Sequence, residues 1–306
     1  MLKAFMDTRH AEETAFWEQY FSPQSFDYLV RSFECDPLKP LFERYCAAGA
    51  LVLEGGCGLG NYVSSLQRMG GRPVGLDFAV SMLSKFKVIE PFSWLAAGDV
   101  CRLPFGSGVF DVYYSGGVME HFEAGPSAGL SEAHRVLRPG GIFLVSVPYE
   151  NPLRRLLARV RSATGATLLQ TAAGEAVTSA PEGYSFFQYF YRAGEFRTRL
   201  LSHGFTIIRE QPYSLWRGLT DLAPFRWLDT RYSRQAEQRR AAERSEAAAP
   251  AAASNGHSGR RSLKETVKRI VFAEDRTLPG VGALIGAGCE MAANMRMYVC
   301  RKPEGA

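Results

Sequence analysis

With 306 residues, 46% hydrophobic and 22% charged, the chain can bury a full core and has the composition of a globular enzyme, which excludes the fibrous and disordered classes. Its 36 basic and 31 acidic residues leave a formal charge of +5, too small an excess for a nucleic-acid-binding signature. The six cysteines form no CxxC pair, as expected in a reducing compartment, and the opening MLKAFMDTRHAEETAFWEQYF lacks the apolar run and cleavage site of a secretory signal, so a cytoplasmic protein is expected.

Up to about Ala50, the residues Phe16, Trp17, Tyr20, Phe21, Phe26 and Leu29 recur at roughly helical intervals until Pro37 and Pro40 break the run. This predicts two or three short helices, forming a helical cap over residues 1–50. From there short β-rich runs alternate with helical stretches, the pattern of a parallel sheet covered by helices on both faces. Strands are predicted at 51–54, 73–77, 93–97, 109–115 and 141–148. The helix before the fifth ends at Leu137, stopped by Arg138-Pro139-Gly140-Gly141.

A later unit repeats the grammar, with a helix at 193–203 followed by the strand-like GFTIIRE, and MRMYVCR at 295–301 supplies a seventh strand with Met295, Met297 and Val299 on one face. Two stretches interrupt the plan. Residues 149–192 carry Arg154, Arg155, Arg159 and Arg161 and the aromatic run YSFFQYFY, and are expected to cover the substrate. Residues 232–262 are rich in alanine, serine and arginine with almost no large apolar side chain, so a disordered loop is expected there. The weakly polar run 278–291 contains several glycines and is too short for a membrane-spanning helix, which needs roughly 20 residues.

The chemistry concentrates at LVLEGGCGLGNYVSSL. A strand ending in Glu54, a turn with Gly56, Gly58 and Gly60, and a following helix place backbone N–H groups and a positive helix end where a ligand can dock. The GxGxG spacing departs from the dinucleotide fingerprint GxGxxG, and by itself fits a tight connection equally well. Asp77, at the end of the next strand, stands where a carboxylate can accept two ribose hydroxyls, or cap the next helix. Asp99, after the third strand, suits the exocyclic amine of an adenine between apolar neighbours, or an ordinary loop. No phosphate-binding GxxxxGK[ST] loop, HExxH helix or Ser/His/Asp order is present, which argues against hydrolases and nucleoside triphosphatases.

The ordered set LVLEGGCGLG, VGLDFAVSML, AAGDVCRLPFGSGVFDVYYSGGVMEHF and HRVLRPGGIFLVSVP resembles the successive motifs of class I S-adenosylmethionine-dependent methyltransferases, especially the small-molecule branch that includes quinone-biosynthesis enzymes. The resemblance covers roughly residues 50–148. It implies a doubly wound, Rossmann-like α/β fold: a seven-stranded, mostly parallel sheet with an antiparallel last strand, a cofactor-binding core over 51–148, a cover at 149–192 and a completion of the sheet over 193–306. It further implies S-adenosylmethionine as cofactor. Glu54 and the turn, with Gly56, Cys57, Gly58 and Gly60, would cradle the methionine part; Asp77, with Phe78 and Met82, would hold the ribose side; Asp99 and Val100 would bracket the adenine. Ser115 and Gly116 would begin the wall beside the sulfonium, a wall continued to Val118. Two positions depart from the usual pattern: Glu54 replaces the more frequent Asp, and Gly55 replaces a larger apolar residue.

Methyl transfer from an activated donor needs alignment, exclusion of water and, for a protonated acceptor, a base. His121, after the fourth strand, is the candidate, and a loop-holding role for the Glu120–His121 pair is the alternative. Related quinone enzymes that bind a divalent metal carry an acidic residue three positions before such a pair; Gly117 stands there, and no metal is expected. The expected acceptor is a small molecule, a glycan or a lipid precursor, without nucleic acid. The arginines could serve an anionic acceptor or an anionic membrane surface, or form a solvated helix face. A catalytically silent module that binds a protein partner, and a nicotinamide-dependent oxidoreductase, remain the competing readings.

Overall fold

The structure is a computed structural model. It describes residues 2–7, 16–18, 25–164, 170–171, 174–177, 184–220, 270, 273–274 and 280–305. The stretch 232–262 expected as a disordered loop lies outside the described residues.

A seven-stranded sheet forms the centre. In chain order its strands are β2 (Leu51–Gly55), β3 (Arg72–Asp77), β4 (Trp94–Ala97), β5 (Phe110–Gly116), β6 (Leu137–Pro148), β10 (Thr206–Tyr213) and β11 (Met295–Arg301), arranged β10-β11-β6-β5-β2-β3-β4. The pairs β3–β4, β2–β3, β2–β5 and β5–β6 are parallel, and β11 runs antiparallel to both β6 and β10. The expected seven-stranded sheet with an antiparallel last strand is therefore present.

Strand alternation sorts the core into two layers. Leu53, Tyr113, Phe143 and Cys300, aligned across β2, β5, β6 and β11, face one layer. Val52, Val112, Leu144 and Val299 face the other. The connecting helices are α3 (Asn61–Arg68), α4 (Val80–Ile89), α5 (Ser127–Val136) and α7 (Ala193–Ser202).

The chain runs from β2 outward through β3 and β4, then returns to place β5 on the other side of β2. This reversal opens a crevice at the strands' C-terminal ends, where ligands bind in open α/β sheets. The turn after β2 and the turn after β5 flank it.

The structure departs from the sequence expectations in three places. The fifth predicted strand begins at Leu137 rather than 141, because Leu137 pairs with Phe110 and the Arg138–Gly141 stop lies inside the strand. There Gly140, at φ +74, donates its amide to the Lys302 carbonyl. Pro40 does not break a helix but lies in the first turn of α2 (Lys39–Tyr45), where its missing N–H costs nothing. It follows α1 (Phe26–Ser32) and a 3-10 turn, Phe33–Cys35.

The third departure is larger. The expected helical cap begins with a strand, β1 (Leu2–Asp7), in a second sheet ordered β7-β8-β1-β9, with β7 (Gln170–Thr171), β8 (Gly174–Val177) and β9 (Tyr184–Phe190). The aromatic run of the cover thus forms a strand, favoured by its ring-rich composition, and pairs Leu2 with Phe190 and Asp7 with Tyr184 across nearly the whole intervening chain. Between the sheets, α6 (Pro152–Thr164) packs against α9 (Gly282–Ala292), and α8 (Leu215–Thr220) packs on α9 as well. Among the described residues, no helix is long and apolar enough to cross a membrane.

Candidate functional site

The turn after β2 is tied down from the neighbouring strand. The Gly56 and Cys57 amides donate to the Leu76 carbonyl at 2.7 and 3.0 Å, and the Gly58 amide donates to Asp77 Oδ2 at 2.8 Å. Asp77 Oδ1 accepts the Ala79 amide at 2.9 Å, opening α4. The two sequence readings of Asp77 therefore meet in one side chain: it serves the helix start and also fixes the glycine turn. Burial pushes its carboxyl above the ordinary range, against the opposing effect of these backbone donors.

Glycine at 56 is required twice, by φ +78 and by Val118, whose methyl group occupies the space a Cβ would take. At 60 the ring of Phe86 fills that space, and at 55 the ring of Tyr113 does. Gly55, a departure from the pattern of the family the sequence resembles, is thus matched by a large residue on β5.

Two cavities open along this turn. The larger, about 360 Å³, is lined by Gly56, Gly58, Asp77, Phe78, Met82, Gly98, Asp99 and Val100 on one side and by Gly116, Gly117, Val118, His121, Phe122 and Trp17 on the other. The second, about 260 Å³, shares Gly56, Gly58 and Gly116 with it and adds Glu54, Cys57, Asn61, Tyr62, Tyr114 and Asp36.

Glu54 is buried and its Oε2 has no hydrogen-bond partner in the structure. Burial, with the nearby charge of Asp77, pushes its carboxyl well above the ordinary value. The Cys57 thiol is likewise pushed well up by burial, which suits a packing side chain rather than a nucleophile. Asp36 accepts from the Tyr62 hydroxyl at 2.6 Å and from the Leu38 amide at 2.7 Å. A buried carboxyl with one oxygen unpartnered, beside a second carboxyl and two phenols, is an environment for a cationic group.

Of the candidate residues, the structure gathers Gly56, Gly58, Asp77, Phe78, Met82, Asp99, Val100, Gly116 and His121 around the larger cavity, and Glu54 and Cys57 around the second. Gly60 and Ser115 line neither. Gly60 instead begins α3 against Phe86. Ser115 is fully buried, because alternation along β5 turns it to the opposite face from Gly116. Asp99 is exposed, and its Oδ1 accepts the Cys101 amide at 2.8 Å. Sequence reasoning did not find Trp17, Gly98, Phe122, Asp36 or Tyr62. Only the neighbourhood of Phe122 to His121 offered a signal.

His121 lies in the 3-10 turn Met119–His121. Its Nδ1 is 2.9 Å from the Phe187 carbonyl of β9, so the proton of the neutral ring sits on Nδ1. Burial lowers its pKa to about 4, with the Phe187 and Gly117 carbonyls opposing that shift. Trp17 and Phe187 stand edge-on to the imidazole, at centroid distances of 5.0 and 4.8 Å. Among the described residues no group of three or more His, Cys, Asp or Glu could hold a metal ion.

Of the cover's arginines, Arg154, Arg155 and Arg159 line neither cavity, and the side chain of Arg161 lies outside the described residues. Arg154 is buried and donates to the carbonyls of Tyr149 and Asn294 at 2.9 and 3.1 Å, joining the end of β6 to the start of β11. Arg155 and Arg159 are exposed on α6, and neither lines a cavity described above.

A methyltransferase domain family matches residues 53–145. Demethylmenaquinone methyltransferase of Mycolicibacterium vanbaalenii is 35% identical over 171 residues, covering 53% of this chain and 68% of that protein. Malonyl-[acyl-carrier protein] O-methyltransferase of Yersinia pestis is 32% identical over 108 residues, covering 35% of this chain and 40% of that one. The chain spans about half the length of several of the curated relatives it matches. A solved S-adenosylmethionine-dependent methyltransferase of Archaeoglobus fulgidus shares the fold, with a TM-score of 0.51 at 13% identity, over 95% of this chain and 100% of that one. With a strand order that opens its crevice at the glycine turn, and with 35% identity to a relative of which it covers more than two thirds, the chain belongs to the class I S-adenosylmethionine-dependent methyltransferases.

Proposed function

We propose that the protein binds S-adenosylmethionine along the two joined cavities and transfers its methyl group to an uncharged, apolar or ring-bearing small molecule, lipid precursors included. The observation that carries the reading is the convergence of Gly56, Gly58, Asp77 and Asp99 on one cavity, with Glu54, whose Oε2 has no hydrogen-bond partner, in the cavity that continues it.

These residues fit the cofactor. Asp77 and Asp99 suit ribose hydroxyls and an adenine amine, Phe78, Met82 and Val100 supply apolar faces, and Glu54 with Asp36 suits the ammonium of the methionine part. When bound, S-adenosylmethionine supplies an electrophilic methyl group on a positively charged sulfur. The protein's part is to hold the acceptor in line and keep water out.

Trp17, Val118, His121 and Phe122 form the remaining wall. Among the described lining residues of both cavities there is no lysine or arginine, and the wall opposite the cofactor residues is made of Trp17, Val118, His121 and Phe122, which suits an uncharged acceptor. The acceptor named for the Mycolicibacterium relative, demethylmenaquinone, has the kind of apolar ring such a wall accommodates. Arg154, one of the four arginines of the cover, is buried and committed to the Tyr149 carbonyl, which supports an acceptor recognised by other means.

Calorimetric titration with S-adenosylmethionine and S-adenosylhomocysteine tests the cofactor half. Absence of binding at millimolar ligand sinks it. Incubation with labelled cofactor and a cell extract tests the acceptor half: label in an apolar product is expected, and label confined to phosphorylated or carboxylate-rich products overturns it.

A further inference from the structure

We propose that Glu120 is the buried counter-ion that makes His121 basic enough to take a proton from the acceptor, an inference that rests on the methyl-transfer reading of the same cavity.

The two residues follow one another in the turn after β5, but face different ways. His121 lines the cavity, while Glu120 is 2% exposed. Its Oε1 is 3.8 Å from His121 Nε2, and its Oε2 has no hydrogen-bond partner. Gly117, at φ +73, lines the cavity, and a Cβ built on it would lie 3.5 Å from Glu120 Oε1, an ordinary contact, so the carboxyl sits against a residue of the cavity wall.

By itself the imidazole is a poor base. Nδ1 is committed to the Phe187 carbonyl, Nε2 carries the free lone pair, and burial holds the pKa near 4. A carboxylate at this range from Nε2 favours the imidazolium, by about 1–3 pKa units for a charge within 4–6 Å. Burial has pushed the Glu120 carboxyl up to about 8, so it becomes an anion only on the alkaline side of neutrality. Around it stand His121 on its own turn, Tyr191 beyond β9 and Tyr213 of β10, with Arg199 over the far ring of Tyr191 at 5.8 Å. Among the described ion pairs of Glu120 there is no lysine or arginine.

In the step this arrangement supports, the bond between the acceptor and its proton breaks and a bond from the proton to His121 Nε2 forms. The electron pair stays on the acceptor, which becomes the nucleophile. The imidazolium is held by the Phe187 carbonyl at Nδ1 and by ionised Glu120 beside Nε2, and its proton leaves to solvent once the product has gone. Glu120 does not touch the acceptor; it is a positioning residue acting through His121.

The test is a pH titration of the protein with ring-labelled histidine, followed by NMR. The His121 signal is assigned by its loss in His121→Asn. In the wild-type protein the His121 resonances are expected to move in a step near pH 8, as the carboxyl beside the ring ionises. Glu120→Gln is expected to abolish that step, and Glu120→Asp to retain it. A wild-type protein with no such step, or a Glu120→Gln variant that keeps it, overturns the proposal. The titration needs neither cofactor nor acceptor: failure of cofactor binding would remove the methyl-transfer reading and leave the step, whereas a missing step with intact cofactor binding would remove only the role of Glu120.

Discussion

Asp77 Oδ2 accepts the Gly58 amide at 2.8 Å, so the side chain that ends β3 holds the turn that ends β2. The two strands are parallel neighbours, and their C-terminal ends are locked together at the rim of the cavity. A ligand bound there meets a turn whose shape depends on the carboxylate it touches.

Asp77→Ala is therefore expected to act on both the turn and the ligand. Affinity for S-adenosylhomocysteine, measured by calorimetry, should fall more than tenfold. Stability to urea should fall by about 1–3 kcal/mol, the range for leaving buried hydrogen-bonding groups unpaired. An unchanged affinity would refute the role given to this carboxylate.

Arg154 and Arg155 are neighbours in sequence with opposite expected behaviour. Arg154→Ala removes the buried guanidinium that holds the Tyr149 and Asn294 carbonyls and should cost about 2–4 kcal/mol in a denaturation experiment. Arg155→Ala alters an exposed position and should stay within about 0.5 kcal/mol. Equal effects would contradict the structural assignment of Arg154.

Glu120 also gives stability a pH dependence. Its carboxyl is raised from 4.5 to about 8 in the fold, so the folded state binds the proton more tightly than the unfolded chain does. The stability this contributes is complete below the unfolded value and is lost as pH rises through the folded one. Relative to wild type, Glu120→Gln should become progressively more stable over that window, by on the order of 1.4 kcal/mol per pH unit at most. Parallel stability curves for the two proteins would count against the shift.

The second sheet depends on β1, whose Ala4 is fully buried between β8 and β9. Ala4→Asp places an unpaired charge there. Hydrogen exchange should become at least about tenfold faster over 184–190 while the amides of β2 and β5 keep their protection, because the two sheets open as separate units. Uniform acceleration would show that they unfold together.

The central sheet was legible because its signals are local. Apolar runs such as LVLE and FLVSV, each followed or preceded by glycine, predict strands wherever they pack, and six of the predicted strands needed only small shifts at their ends. Asp77 and Asp99, which line the larger cavity, were legible as candidates for the same reason: each lies at or just past the end of such a strand. Ser115 is buried and lines neither cavity, since the side chains of β5 change face at every residue and the next residue, Gly116, is the one at the crevice. Trp17, Asp36 and Tyr62 had no local signal. Trp17 and Asp36 reach the site from the N-terminal segment, and Tyr62 reaches it from the first turn of α3, where its hydroxyl meets Asp36.

What the sequence by itself determined is the order of strands and helices, the glycine turn and the acidic strand ends, because period, turn chemistry and residue type act over a few residues. The tertiary structure alone decided that Leu2–Asp7 pairs with the aromatic run Tyr184–Phe190, that Arg154 is buried while Arg155 is not, and that His121 Nδ1 meets the Phe187 carbonyl. Each of these depends on contacts between segments far apart in the chain, whose partners no local pattern specifies. The glycine turn was visible from its own residues; the side chains that close the cavity around it were selected by packing.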